Sequence, residues 1–102
     1  MEEKKQERKQ IGENVILVGE KPFMAYMKSV NTLFRGKNLQ NIEIRARGKN
    51  IKKAIDIAES SVRKFCHDLN LTKKVEIGTE QFTTPDKKEI SVSIISISLK
   101  RN

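Results

Sequence analysis

The spacing of apolar residues changes rhythm along this chain, and each change marks the edge of an element. Val15-Ile-Leu-Val-Gly19 is a continuous apolar run closed by glycine, the pattern of a central buried strand. Pro22 suits the first turn of a helix. Phe23, Met24, Met27, Val30, Leu33 and Phe34 then recur at helical spacing until Gly36. From Asn41 to Arg47 the rhythm becomes alternation, with Ile42, Ile44 and Ala46 on one side and Glu43, Arg45 and Arg47 on the other. That predicts a half-buried strand with a charged outer face. Beyond Gly48 a second helix is expected from about residue 50 to about residue 69. It carries Ile51, Ala54, Ile55, Ala58, Val62, Phe65, Cys66 and Leu69 on one stripe, and Asn70 stops it.

Val75 and Ile77 open a third strand that continues to about Thr84, and Pro85-Asp-Lys-Lys88 is a turn. Ile90, Val92 and Ile94 alternate with serines, and the phase then shifts so that Ile95, Ile97 and Leu99 alternate instead. A shift in a period of two means a bulge or a strand covered on both faces. Both phases are apolar, which favours double cover, with the second phase and part of the second helix forming a homodimer interface. The order β-α-β-α-β-β predicts an α/β protein of the α+β two-layer type, two helices on a four-stranded mixed sheet. Residues 1–10 alternate charges without an apolar period and read as a disordered charged tail, leaving 11–102 as one domain.

Charge sharpens this outline. Residues 21–53 carry net +8, equal to the net charge of the whole chain, while the remaining segments nearly cancel. A pI near 9.8 suits an anionic partner, with nucleic acid ahead of anionic membrane. No apolar run approaches the ~20 residues that span a bilayer. The N-terminus lacks the apolar segment of a signal peptide, so a cytoplasmic setting is expected. A single cysteine, Cys66, excludes an intrachain disulfide, and with only His67 beside it no four-ligand zinc site forms in one chain. Cys66 reads as a buried or half-buried helical residue. No metal or other cofactor is implied.

The chemistry concentrates in Arg45-Ala-Arg-Gly-Lys-Asn-Ile-Lys-Lys53, where five cations fall within nine residues and no acid interrupts them. The segment spans a strand end, a glycine turn and a helix start, so Arg45, Arg47, Gly48, Lys49, Asn50, Lys52 and Lys53 form a candidate phosphate surface. Gly19-Glu-Lys-Pro22 is a second strand-to-helix turn. If the first two strands are parallel, right-handed crossover puts Lys21 near Arg45, Arg47 and Lys49. Lys87 and Lys88 put two cations on a hairpin tip. Tyr26 suits either a base or the core, and Phe23, Phe34 and Phe82 read as core residues. Asp56 and Glu59 read as surface acids. No nucleophile–base grouping and no phosphate-loop glycine pattern is present in the sequence. The chain therefore does not read as an enzyme, and a small βαβ enzyme on a phosphorylated substrate is the remote alternative.

Val15-Ile-Leu-Val-Gly-Glu-Lys-Pro-Phe-Met-Ala-Tyr26 and Ile42-Glu-Ile-Arg-Ala-Arg-Gly-Lys-Asn-Ile-Lys-Lys-Ala-Ile-Asp56 resemble the Alba family of small archaeal chromatin proteins. The resemblance covers roughly residues 11–100. It implies a homodimer that binds double-stranded DNA with little sequence preference, and also RNA binding; the reading is a chromosome-associated protein that coats or compacts DNA, with an RNA chaperone or a subunit of an RNA-processing particle as the rival. By position it assigns Lys21, Arg45, Arg47 and Lys49 to the central surface and Lys87-Lys88 to an arm that embraces the duplex. It assigns Phe65 to dimer–dimer contacts along DNA. Family members often carry two lysines before the proline of the first turn, a pair associated with acetylation. Here the first is Glu20, so Lys21 is the one modifiable lysine left in that turn.

Overall fold

The computed structural model describes residues 12–102, and the tail expected at residues 1–10 lies outside them. Strand β1 is Val15–Leu17. Helix α1, Phe23–Asn31, starts directly after Pro22 and ends in a wider π turn, Thr32–Gly36. Strand β2, Asn41–Arg47, leads through a 3-10 turn, Gly48–Asn50, into helix α2, Ile51–Ser60. A second π turn, Ser61–Phe65, and a short 3-10 turn, His67–Leu69, close α2. Strands β3, Thr72–Thr83, and β4, Glu89–Lys100, form a long hairpin.

The sheet order is β1-β2-β4-β3, with β1 parallel to β2 and the other pairs antiparallel. Both helices cover one face, giving the expected two layers and mixed sheet. The core between them includes Val30, Phe34, Ile42, Ile44, Ile57, Ile97 and Leu99.

Three expectations are corrected. The run Val15–Gly19 forms an edge strand, not a central one, because only β2 pairs with it. Ile16 and Val18 enter the core, while Leu17 turns outward and stays 54% exposed.

Second, β4 has no bulge: its register with β3 runs unbroken from Thr72↔Lys100 to Thr83↔Glu89. Ile95, Ile97 and Leu99 face the helices and are consumed by the protomer's own core, so they supply no dimer surface. The shifted phase, Ile90, Val92 and Ile94, simply lies on the opposite face. The apolar residues left open on the helix side are instead Val75 and Ile77 of β3, the latter 81% exposed.

Third, the stripe of α2 is Ala54, Ile57, Ala58 and Ser61, with Ile55 exposed. Ser61 is buried because its Oγ donates to the Ile57 carbonyl at 2.8 Å, which satisfies the hydroxyl inside the helix. The Cys66 N–H bonds the Ser61 carbonyl at 2.8 Å, five residues back. That extra residue in the turn moves the phase by one position. Cys66 arrives in the core, and Phe65, expected on the stripe, is left 50% exposed.

Strand β2 ends opposite Ile94. Beyond that point Thr79–Thr83 and Glu89–Ser93 pair only with each other. The hairpin therefore projects from the body, and the described chain measures 50 × 29 × 23 Å along its principal axes.

Candidate nucleic-acid interface

Two strand-to-helix turns lie side by side at the ends of the parallel strands β1 and β2. The first, Gly19 to Lys21, is latched from below. The Tyr26 phenol oxygen accepts the Gly19 N–H at 2.7 Å and the Lys21 N–H at 3.2 Å. The Lys53 ammonium donates to the Gly19 and Lys21 carbonyls, both at 2.8 Å, and lies 5.7 Å from the centre of the Tyr26 ring. Tyr26 is thus buried and structural. Lys53, expected on the phosphate surface, has its ammonium spent on this turn.

The second turn depends on Gly48, whose φ of +57° is a left-handed conformation that side chains disfavour. The turn reverses the chain so that Asn50 sits beside the end of β2. Arg45, Arg47 and Asn50, together with Gly19, line one open trough on the uncovered face of the sheet, about 1010 Å³ in volume. Glu43, Glu76, Glu80 and Ser96 line it as well.

The run from Arg45 to Lys53 lacks acids in sequence, but the fold supplies them. Arg45 Nε donates to Glu43 at 2.8 Å, and Arg47 Nη1 reaches across β4 to Glu80 at 3.2 Å. Lys49 sits 3.4 Å from Glu20, and Lys52 sits 2.9 Å from Asp56. Asp56 thus stands on the surface as expected, and Glu59, on the same helix, pairs with Lys73 of β3. Glu43 aside, which is half-buried, the partners in the cluster are largely exposed, so those pairs are worth ~0–1 kcal/mol each and an incoming phosphate can replace them. The Arg45 hydrogen bond, helped by one from Ser96, holds the Glu43 carboxyl below its ordinary value against an opposing desolvation. A carboxylate so weakened as a base is poorly suited to proton transfer near neutrality.

The structure brings the two turns together but spreads their cations over adjoining surfaces. Arg45, Arg47 and Asn50 face the trough. Lys49, Lys52 and Lys53 line a depression beside the start of α2 with Phe23. The Lys21 side chain lines a third, on the β1 edge, with Leu17, Ala25, Tyr26 and Lys28. The turn that carries Lys21 lies beside the strand end of the arginines, while Lys21 lines the depression on the β1 edge and not the trough.

Lys87 and Lys88 lie at the hairpin tip, ~17 Å of strand beyond the end of β2. Thr84 and Lys88 close the turn by a 2.8 Å bond from the Thr84 N–H to the Lys88 carbonyl. Lys87 takes the left-handed position at φ 67°. Phe65 sits at the far end of α2, where Arg35 bonds its carbonyl at 3.0 Å and clamps Asp68 at 2.8 and 3.1 Å. Each partner strengthens the charge of the other, raising the Arg35 pKa and lowering that of Asp68. Sequence reasoning missed Arg35, Glu80 and the anchoring role of Tyr26. All three act across about 7 to 33 residues of sequence separation, which no local pattern reports. The Cys66 thiol is buried, and desolvation raises its pKa, which disfavours the nucleophilic thiolate.

Among the described residues no helix is long and apolar enough to cross a membrane, and no three His, Cys, Asp or Glu side chains are grouped to hold a metal ion. Comparison with known proteins adds the family. A family profile described as Alba matches residues 14–83. The chain is 43% identical over 89 residues to the DNA/RNA-binding protein Alba of Picrophilus torridus, covering 87% of this chain and 97% of that one. It is 36% identical over 87 residues to the protein of the same name from Methanococcus maripaludis, covering 85% and 97%. The solved structure of Alba from Thermoplasma volcanium superposes with a TM-score of 0.76 at 39% identity, covering 86% of this chain and all of that one. The family profile, the relatives and the superposed structure agree over most of the chain's length: this chain belongs to the Alba family.

Proposed function

We propose that this protein is a nucleic-acid-binding chromatin protein that holds double-stranded DNA by its backbone phosphates, with little sequence preference, and coats or compacts it. The observation that carries this reading is the trough. Arg45 and Arg47 project at i, i+2 from the end of β2 onto an uncovered sheet face, beside the Gly48 turn and Asn50. Their present partners are carboxylates, Glu43 half-buried and Glu80 exposed, which a phosphate would have to displace. Lys49 and Lys52 extend the surface along α2, Lys21 extends it over the β1 edge, and Lys87 and Lys88 extend it along the hairpin.

The working unit is a homodimer associated with the nucleoid. Lys73 of β3 pairs with Glu59 of α2, and Ile55 of that helix and Val75 and Ile77 of that strand leave an apolar patch exposed. That patch fits a second copy of the chain, and sedimentation equilibrium showing only monomer at micromolar concentration would remove it. Phe65, exposed and held by the Arg35 clamp, suits contacts between neighbouring dimers on DNA. Lys21 is exposed and open to modification, whereas Glu20 is not a lysine and stays beside Lys49. RNA is the second ligand of this reading, since its backbone offers the same phosphates.

The test is a salt titration on duplex DNA. Each neutralised phosphate adds a slope of about −0.9 in log affinity against log salt, so a dimer should show at least about −4. Replacing Arg45 and Arg47 together with Ala should flatten that slope and weaken all duplexes alike, with the fold intact. A slope near zero for the native protein rules the mechanism out.

A further inference from the structure

The uncovered sheet face carries an aromatic ring, and it belongs to Phe82 of β3. The chain has four phenylalanines, one tyrosine and no tryptophan. Tyr26 and Phe34 are buried, Phe23 packs against the core, and Phe65 sits at the end of α2. Phe82 is expected in the core, and the structure corrects that: its register opposite Ile90 puts it on the face that no helix covers. It is 40% exposed, because it lies on the projecting part of the hairpin where no helix reaches. Its cross-strand neighbour Ile90 is exposed too. The Arg47 guanidinium lies 5.4 Å from the ring centre while holding Glu80.

We propose that Phe82, with Arg47, is a stacking subsite for an unpaired nucleobase, so that the chain engages single-stranded segments by a contact that duplexes do not make. The inference rests on the nucleic-acid reading above and adds a ligand class to it. Phosphate binding needs cations only; an open aromatic ring on a sheet beside a phosphate-directed arginine adds affinity for a base whose face is free. In a duplex that face is already stacked on its neighbours, and the ring has nothing to receive. When Arg47 leaves Glu80 for a backbone phosphate, the adjoining base of the same strand comes within reach of the ring. Asn50 and Ser96 line the neighbouring trough with polar groups suited to base edges. A second protein copy fits the patch poorly. It offers the exposed Phe82 and Ile90 with the half-buried Val92 and Ile94 on a narrow two-stranded arm, a small area beside the ~800 Å² per partner that a stable interface buries.

Three ligands separate the outcomes: oligothymidylate of about twelve nucleotides, within the range of single-strand site sizes, an abasic strand of the same length, and a duplex. Phe82→Leu keeps an apolar strand residue and removes the ring. It should weaken oligothymidylate binding about tenfold, the loss of one stacked base, while abasic-strand and duplex affinities stay within about twofold. Phe82→Trp should restore single-strand affinity. As the only tryptophan in the chain, its fluorescence should be quenched by oligothymidylate and not by the abasic strand. Equal losses on all three ligands, no loss on any, or equal quenching by both strands overturns the subsite. So does a change of sedimentation coefficient in Phe82→Leu, which would assign the patch to a second copy. Native protein that binds none of the three sinks the broader reading as well; native duplex binding with no Phe82 effect sinks this inference alone.

Discussion

Strand β4 passes from a buried environment to an open one without a break in register. Between Ile94 and Lys100 it is flanked by β2 and β3, and Ile95, Ile97 and Leu99 pack beneath the helices. Between Glu89 and Ser93 it has β3 alone, and no residue there is buried. The same strand is thus scaffold at one end and arm at the other. The scaffold end holds Arg45 and Arg47 on a strand whose alternate residues, Ile44 and Ala46, are locked in the core. The arm end holds Phe82, Lys87 and Lys88 on backbone pairing alone, which places it at the low end of local stability. Precision comes from the half under the helices and reach from the half outside them.

The largest effect expected from this contrast is on stability. Phe34→Ala should cost ~3–5 kcal/mol of unfolding free energy, since the ring is fully buried and leaves a cavity. Ile90→Ala in the arm should cost under ~1 kcal/mol, because its side chain is already half in water. Urea unfolding measures both, and equal costs would show the arm to be part of the cooperative core.

A smaller effect concerns reach. Lys87→Ala with Lys88→Ala should weaken duplex binding by ~1–2 kcal/mol, taking two screened contacts to phosphate. It should also shorten the protected length in footprinting. Nearly additive behaviour with the Arg45 and Arg47 substitutions is expected, as these lysines share no ion-pair partner with the arginines. If affinity and footprint both stay unchanged, the arm is only a solvated turn.

Glu80 joins the two halves through Arg47. Glu80→Gln should raise duplex affinity by less than ~1 kcal/mol, because it frees the arginine from an exposed pair. A fall in affinity would mean that Glu80 orients Arg47 and does not compete with phosphate.

The smallest effect is on the acid limb of stability. Glu43 is held below its ordinary value of 4.5 by Arg45, so the folded state binds its proton less readily than the unfolded chain. Its contribution is complete above that value and is lost as pH falls through the lower folded value. Glu43→Gln should therefore decline less steeply over that window than the native protein does. Circular dichroism melts from pH 6 down to about pH 3 would show it, and parallel curves would remove the pair from the account.

Elements with a local cause could be read directly. Ile42, Ile44 and Ala46 alternate with Glu43, Arg45 and Arg47 because a strand has a period of two, and this alone set β2, its buried face and its two outward arginines. Pro22, Gly36, Gly48 and Asn70 punctuated the helices for reasons of backbone geometry that lie within a few residues. The family resemblance was legible for the same reason, since it rests on two contiguous segments.

What depended on neighbours distant in sequence was decided by the tertiary structure. An apolar run looks the same at a sheet's edge as at its centre, so Val15–Gly19 could not announce its place. Glu20 and Glu80 reached Lys49 and Arg47 only through the fold, and Lys53 was drawn from the surface to the carbonyls of a turn 32 residues away. One π turn after Ser61 kept Cys66 in the core but turned Phe65 out of it, a shift invisible to a fixed 3.6-residue period. The sequence by itself determined where the cations and strands lie along the chain. The pairing of strands and the reach of the helices over the sheet determined which cations stay free and which apolar side chains remain uncovered, because charge pairing and burial depend on distance in space.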